Sequence, residues 1–213
     1  GKWVMLKALK KEYASQPEYC KMIEREFDTR YNLAHPNIVM VNDFEELPGI
    51  GMAIVTDDVY GYSLRRLIDV KRLTPKILYR LQTQLLDAMD YIQENHIIHH
   101  PITPETIIFT EYTENLKLID VGYDQEESLS PQDTSEDIRS YGRVMNEVLD
   151  NLPAKLPRLR HIAEKCEAKG GKQYGSIPAL RLDIERRSSG QIYLFISIFI
   201  MLMSCLLVWL ALR

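Results

Sequence analysis

His96–Phe109 reads HIIHHPITPETIIF. Its isoleucines, Ile97, Ile98, Ile102, Ile107 and Ile108, frame a polar centre of histidines, threonines and prolines. A short loop held at both ends by apolar residues is what this pattern predicts. His96, His99 and His100 invite a metal site, but their spacing fits no common zinc pattern and no nearby Cys or further His completes a set. The centre of the loop is Pro101, which offers neither a basic side chain nor a backbone N–H. Whatever chemistry this loop performs, Pro101 is not its base.

Upstream, VMLKAL (Val4–Leu9) predicts a short strand that is apolar except at Lys7. A helix is predicted over Pro17–Leu33. Within it Glu26 falls between Met22 and Ile23 on an apolar face, so it needs a cationic partner. Lys7 is the candidate of opposite sign. IVMVNDF (Ile38–Phe44) and GMAIVTD (Gly51–Asp57) predict two strands joined by a turn at Pro48–Gly49. Thr74–Pro75 should cap a long helix with the apolar stripe Leu78, Leu81, Leu85, Met89 and Ile92. Downstream, TIIF and LKLID (Leu116–Asp120) predict a hairpin turning near Glu114–Asn115. Asp137–Leu149 and Ser176–Arg187 predict amphipathic helices. Strands with one helix, followed mainly by helices, make an α+β, two-lobed pattern.

Taken in order, these segments resemble the eukaryotic-type protein kinase fold from its third strand to its last helix, Val4 to about Arg187. VMLKAL is similar to the strand carrying the ATP-binding lysine, and Glu26 stands where the family pairs that lysine. AIVTDDVYGYSLRRLI is similar to the hinge, with Thr56 in the gatekeeper place and Asp57 and Val59 beside it as nucleotide contacts. HIIHHPITPETIIF resembles the catalytic loop, and LKLIDVGY the metal-binding strand, with Asp120-Val121-Gly122 in place of Asp-Phe-Gly. SEDIRSYGRVMNEVL resembles the helix anchoring the C-lobe. EKCEAKGGKQYGSIPALRLDI resembles the closing helices.

The resemblance implies ATP and magnesium as cofactors, with Lys7, Glu26, Thr56, Asp57, Val59 and Asp120 around the nucleotide and Asp120 and Thr106 as metal ligands. It also exposes a degenerate loop at His99, His100, Pro101, Thr103 and Thr106. Pro101 replaces the aspartate that accepts the substrate proton. Thr103 replaces the lysine facing the phosphate, and Thr106 the asparagine on a second magnesium; its hydroxyl is a poorer ligand. His100 replaces the arginine that would receive an activation-loop phosphate. Only about 14 residues separate Gly122 from Asp137, with no Ala-Pro-Glu, and Gln173 stands in place of its arginine partner. No glycine-rich loop precedes Val4. The expectation is thus a two-lobed kinase-like fold with a truncated N-lobe sheet, its first strands and glycine-rich loop absent, and a shortened activation segment.

The C-terminal end departs from the globular pattern. Residues 192–212 run as IYLFISIFIMLMSCLLVWLAL without a charge. At 1.5 Å per residue that is roughly 30 Å of helix, the thickness of a bilayer's hydrocarbon core. Tyr193 and Trp209 lie near its ends. Arg181, Arg186 and Arg187 precede the span and Arg213 alone follows, a bias that keeps the N-terminal part cytoplasmic. The expected organisation is 1–58 N-lobe, 59–187 C-lobe, 188–191 linker and 192–212 transmembrane helix, with a tail-anchor topology.

Composition narrows the function classes. With 26 basic against 30 acidic residues there is no nucleic-acid footprint. The three cysteines, Cys20, Cys166 and Cys205, are scattered and fit a reducing compartment. Three readings remain: a membrane-anchored pseudokinase that scaffolds or regulates a protein partner, an unconventional low-activity kinase using Lys7 and Asp120, and a membrane tether that forms a homodimer. For the last, Ser197 and Ser204 fall on nearly one face of the span, a weak helix-packing signal.

Overall fold

The computed structural model describes residues 3–186, 197–201 and 203–204. Two hydrophobic cores organise it. The smaller gathers Ile23, Val41 and Ile54, with Leu9, Phe27 and Phe44 against them. The larger is built around Leu81, Leu85, Leu86, Met89 and Ile92, all fully buried.

The small core lies between one helix and a three-stranded antiparallel sheet. Strand β1 (Val4–Ala8), helix α1 (Pro17–Tyr31), strand β2 (Val41–Leu47) and strand β3 (Gly51–Asp57) follow in chain order, and the sheet order is β1-β3-β2. Central β3 buries Ala53 and Ile54 completely, whereas edge β1 exposes Val4, Met5 and Leu6. Strand β2 begins three residues later than Ile38. The reason is that Ile38 and Val39 are drawn into the large core: Ile38 bridges Leu118, the Val39 N–H donates to the Leu118 carbonyl at 2.9 Å, and the Asn37 side chain donates to the Leu116 carbonyl at 2.8 Å. The strand then runs on to Leu47 because, at a sheet edge, Asp43, Glu45 and Glu46 can face solvent.

Strand β4 (Gly61–Ser63) leads into helix α2 (Leu64–Asp69), whose N-cap Ser63 accepts from the Arg66 N–H. Helix α3 (Pro75–Glu94) starts as the Thr74–Pro75 signal predicts, with the Thr74 hydroxyl accepting from the Ile77 N–H. Then come β5 (Ile97–Ile98), β6 (Ile107–Thr110), β7 (Leu116–Leu118) and β8 (Asp124–Gln125); β4-β6-β7 form one sheet, β5-β8 another.

Helix α4 (Pro131–Asp150) starts six residues before Asp137. Ser130 and Asp133 form a reciprocal capping box around Pro131 at the first helical position, a stronger start signal than the apolar periodicity that begins at Ile138. The connection from Gly122 is therefore only residues 123–130. Helix α5 (Pro157–Cys166) packs on α4 where Gly142 leaves room, and residues 177–186 are again helical.

Among the described residues no helix is long and apolar enough to cross a membrane. Most of the uncharged 192–212 segment, and the 188–191 linker, lie outside the described residues; 197–201 is helical. Arg181, counted above towards membrane orientation, instead belongs to the fold. Its guanidinium pairs with Asp87 at 2.8 Å and Asp90 at 2.5 Å on α3.

Candidate nucleotide site

The site forms where β1, α1 and the end of the β6–β7 hairpin converge. β1 supplies Lys7, whose Nζ donates to Glu26 Oε1 on α1 at 2.8 Å and to Asp120 Oδ1 at 2.6 Å. Glu26 thus has the partner its apolar face demands. Asp120 follows directly after β7 and takes a left-handed backbone, φ 61°, which costs a non-glycine residue energy and which its surroundings must hold. The Ile119 N–H donates to the Thr106 carbonyl just before it, and Gly122, φ 83°, follows close against Ile97, Thr29 and Arg30.

A fourth charge completes the cluster. Arg30, one turn after Glu26 on α1, is buried, and its Nη1 lies 2.7 Å from Glu26 Oε1 and 3.4 Å from Asp120 Oδ1. Two carboxylates and two cations so balance in one partly buried network. Burial pushes the Asp120 carboxyl up, but Lys7 first, then Arg30 and His100, outweigh this and hold it below its ordinary value. Sequence reasoning missed Arg30. Its signal was the acidic–basic i,i+4 spacing from Glu26, which puts both on one helix face.

The loop 96–109 is well packed. Ile97, Ile102, Pro104 and Ile107 are buried, and His99 Nε2 lies 3.1 Å from Asp137 Oδ1 on α4. Gln93 donates to the other Asp137 oxygen at 3.1 Å. Burial lowers the His99 pKa, but the Asp137 carboxylate and the His100 carbonyl more than reverse this and leave it raised. His100 packs at a tilt against Tyr123, ring centroids 4.7 Å apart, and Pro101 is exposed. The Thr106 hydroxyl is spent on Thr103, accepting from its N–H at 3.2 Å and donating to its carbonyl at 3.0 Å.

Thr56 is buried in β3, and Asp57 accepts from the Asn42 amide at 2.6 Å. Asp57 and Val59 line a cavity with Val39, Met40, Tyr112 and Lys117; Lys7, Glu26 and Asp120 are not among its lining. The structure thus brings Lys7, Glu26 and Asp120 together, and the β1–β3 register, Lys7 opposite Ile54, sets Thr56 two residues further along the same face of the sheet.

The protein kinase domain model matches residues 1–153. This chain belongs to the protein kinase domain family. Among curated relatives it is similar to serine/threonine-protein kinase PrkC of Bacillus subtilis, 32% identical over 120 residues that cover 56% of this chain and 18% of the relative. It is also similar to an Aurora kinase of Schizosaccharomyces pombe, 30% identical over 121 residues, covering 56% and 34%. The chain therefore spans about a third or less of these relatives' length. Among solved structures, the Mycobacterium tuberculosis PknI kinase domain superposes with a TM-score of 0.66 at 18% identity, covering 88% of this chain and 86% of that one. That likeness is one of fold.

Kinase domains generally use ATP and magnesium. The Lys7 side of the site suits a phosphate: the lysine is about two-fifths exposed and can turn outward while Arg30 keeps Glu26 paired. The magnesium side does not fit. Even with Lys7 turned outward, Asp120 Oδ1 keeps the buried Arg30 guanidinium 3.4 Å away, and the Thr106 hydroxyl is used by the loop's own backbone. A hard divalent ion needs several free oxygen ligands, and these two residues do not supply them.

Proposed function

We propose that this kinase-family chain is a pseudokinase: a nucleotide-binding module that works as a scaffold or regulator through a protein partner, held at the cytoplasmic face of a membrane by residues 192–212. The observation that carries the reading is the contrast within one site. Lys7 Nζ lies within 2.8 Å of both Glu26 and Asp120, while the catalytic-loop segment presents Pro101 to solvent where a proton acceptor is needed. Phosphoryl transfer needs positioning, charge neutralisation and an acceptor for the substrate hydroxyl's proton. This chain retains the first and lacks the last. Residues 123–130 leave little chain for a peptide-docking platform. Gln173 supports the same view: its amide spans the Ser135 and Cys166 carbonyls at 2.8 and 2.7 Å, a neutral brace where the family resemblance implies an arginine.

The anchor rests on the uncharged 192–212 stretch, with Arg186 and Arg187 ahead of it to set orientation. A second reading, a low-activity serine/threonine kinase working from Lys7 and Asp120, draws on the same intact constellation and on the kinase relatives. Loss of a general base costs about 10²–10⁴ in rate, a large loss but not total. Labelled-phosphate transfer to the chain itself and to generic protein substrates separates the two. The pseudokinase reading expects none above a protein-free control, and transfer abolished by Asp120→Ala would establish the second reading.

A further inference from the structure

Arg30 is an odd neighbour for a carboxylate expected to hold a metal. Its side chain is 5% exposed, and its guanidinium contacts both Glu26 and Asp120. Lys7, by contrast, is 41% exposed, and Asp120 43%. When Lys7 turns outward to a phosphate, the two carboxylates keep Arg30 as their common counter-cation. A divalent ion seated on Asp120 would instead face a fixed like charge across one carboxylate. Thr106, the other expected ligand, is engaged with Thr103.

We propose that Arg30 replaces the charge of the divalent cation at Asp120, so that this site takes a nucleoside triphosphate free of metal, with Lys7 on its phosphates. The proposal rests on the nucleotide-binding reading above. The cluster draws Lys7 from β1, Glu26 and Arg30 from α1, and Asp120 from just after β7.

The test uses the full chain and a fluorescent ATP analogue, titrated in EDTA and in excess magnesium. The wild-type Kd should differ by less than about two-fold between the two. Arg30→Gln should weaken binding in EDTA by about tenfold or more, with magnesium restoring it, and Arg30→Lys should behave like wild type. Manganese alone, followed by its free-ion magnetic resonance signal, should stay free beside the wild-type chain. Arg30→Gln should take it up, and Asp120→Asn in that background should release it. Wild-type nucleotide binding that requires metal, or Asp120-dependent manganese uptake by the wild type, overturns the proposal and leaves the nucleotide reading standing. Absence of nucleotide binding in both buffers overturns both.

Discussion

At the scale of single residues, the site is an exercise in pairing charges that cannot be left alone. Glu26 and Arg30 are buried side by side, with Lys7 as a second cation on Glu26 and Asp120 as a second carboxylate beside Arg30. Arg30→Leu is expected to lower stability by about 3 kcal/mol, measured by urea denaturation, because Lys7 alone must then neutralise both Glu26 and Asp120. His99 and Asp120 titrate in opposite senses. The folded-state pKa of His99 is raised above its ordinary 6.5. Its contribution is therefore fully present below that value and is lost as pH rises through the folded one. Asp120 is held below its ordinary 3.8, so its contribution is present above 3.8 and is lost as pH falls through the folded value. Denaturation curves from pH 6 to 9 should show stability declining, and His99→Gln should flatten that decline. A wild-type curve that rises across this range would contradict the His99–Asp137 pairing.

At the scale of elements, caps and close contacts decide where helices start and how near they approach. Ser130→Ala removes the cap of α4 and should cost about 1 kcal/mol. Gly142→Ala sets helix propensity against sterics. A methyl group at 142 would lie 2.7 Å from the Cys166 Cβ and 2.8 Å from the Ala163 carbonyl, closer than side chains pack. Overpacking should outweigh the propensity gain and lower the melting temperature, by about 1–3 kcal/mol in stability terms. A more stable Gly142→Ala protein would mean that α4 and α5 separate more readily than their packing implies. The elements differ in how far the sequence revealed them. α3 and β3 were legible because long apolar stripes and a clean cap leave one solution. α2 was not, although Ser63 caps it and Leu64, Leu67 and Ile68 are buried on one face; six residues are too few for periodicity to stand out. β4, β5 and β8 carry no pattern of their own and exist because tertiary pairing selects them. One odd charge in each of two apolar segments left Lys7 and Glu26 open between a pair and two unrelated surface charges, and only the family resemblance joined them. Thr106 could not, because only the folded loop shows its hydroxyl turned onto Thr103.

At the scale of the molecule, the charge cluster takes Lys7 and Glu26 from the elements around the smaller core and Asp120 from the end of a strand, β7, whose Leu116 and Leu118 belong to the larger one. The kinase frame is intact in the places that hold shape. His99 is seated against α4 through Asp137, and Gln173 braces the α4 start to the end of α5. Within the loop 96–109, the departures that the family resemblance implies fall on His100, Pro101, Thr103 and Thr106. If residues 192–212 anchor the chain, the full chain should float with lipid vesicles and resist alkaline extraction, while a version ending at Arg187 should do neither. Flotation of the shortened version would move the membrane contact into the folded part. The central claim is binding without transfer, and its most direct test is the fate of bound ATP in a single turnover. The chain, in excess over γ-labelled ATP, is incubated for hours with and without magnesium, and ATP, free phosphate and phosphoprotein are quantified. The account predicts that the label is recovered as ATP, matching Asp120→Ala and the protein-free control. Conversion to phosphoprotein or free phosphate that disappears in Asp120→Ala would contradict it.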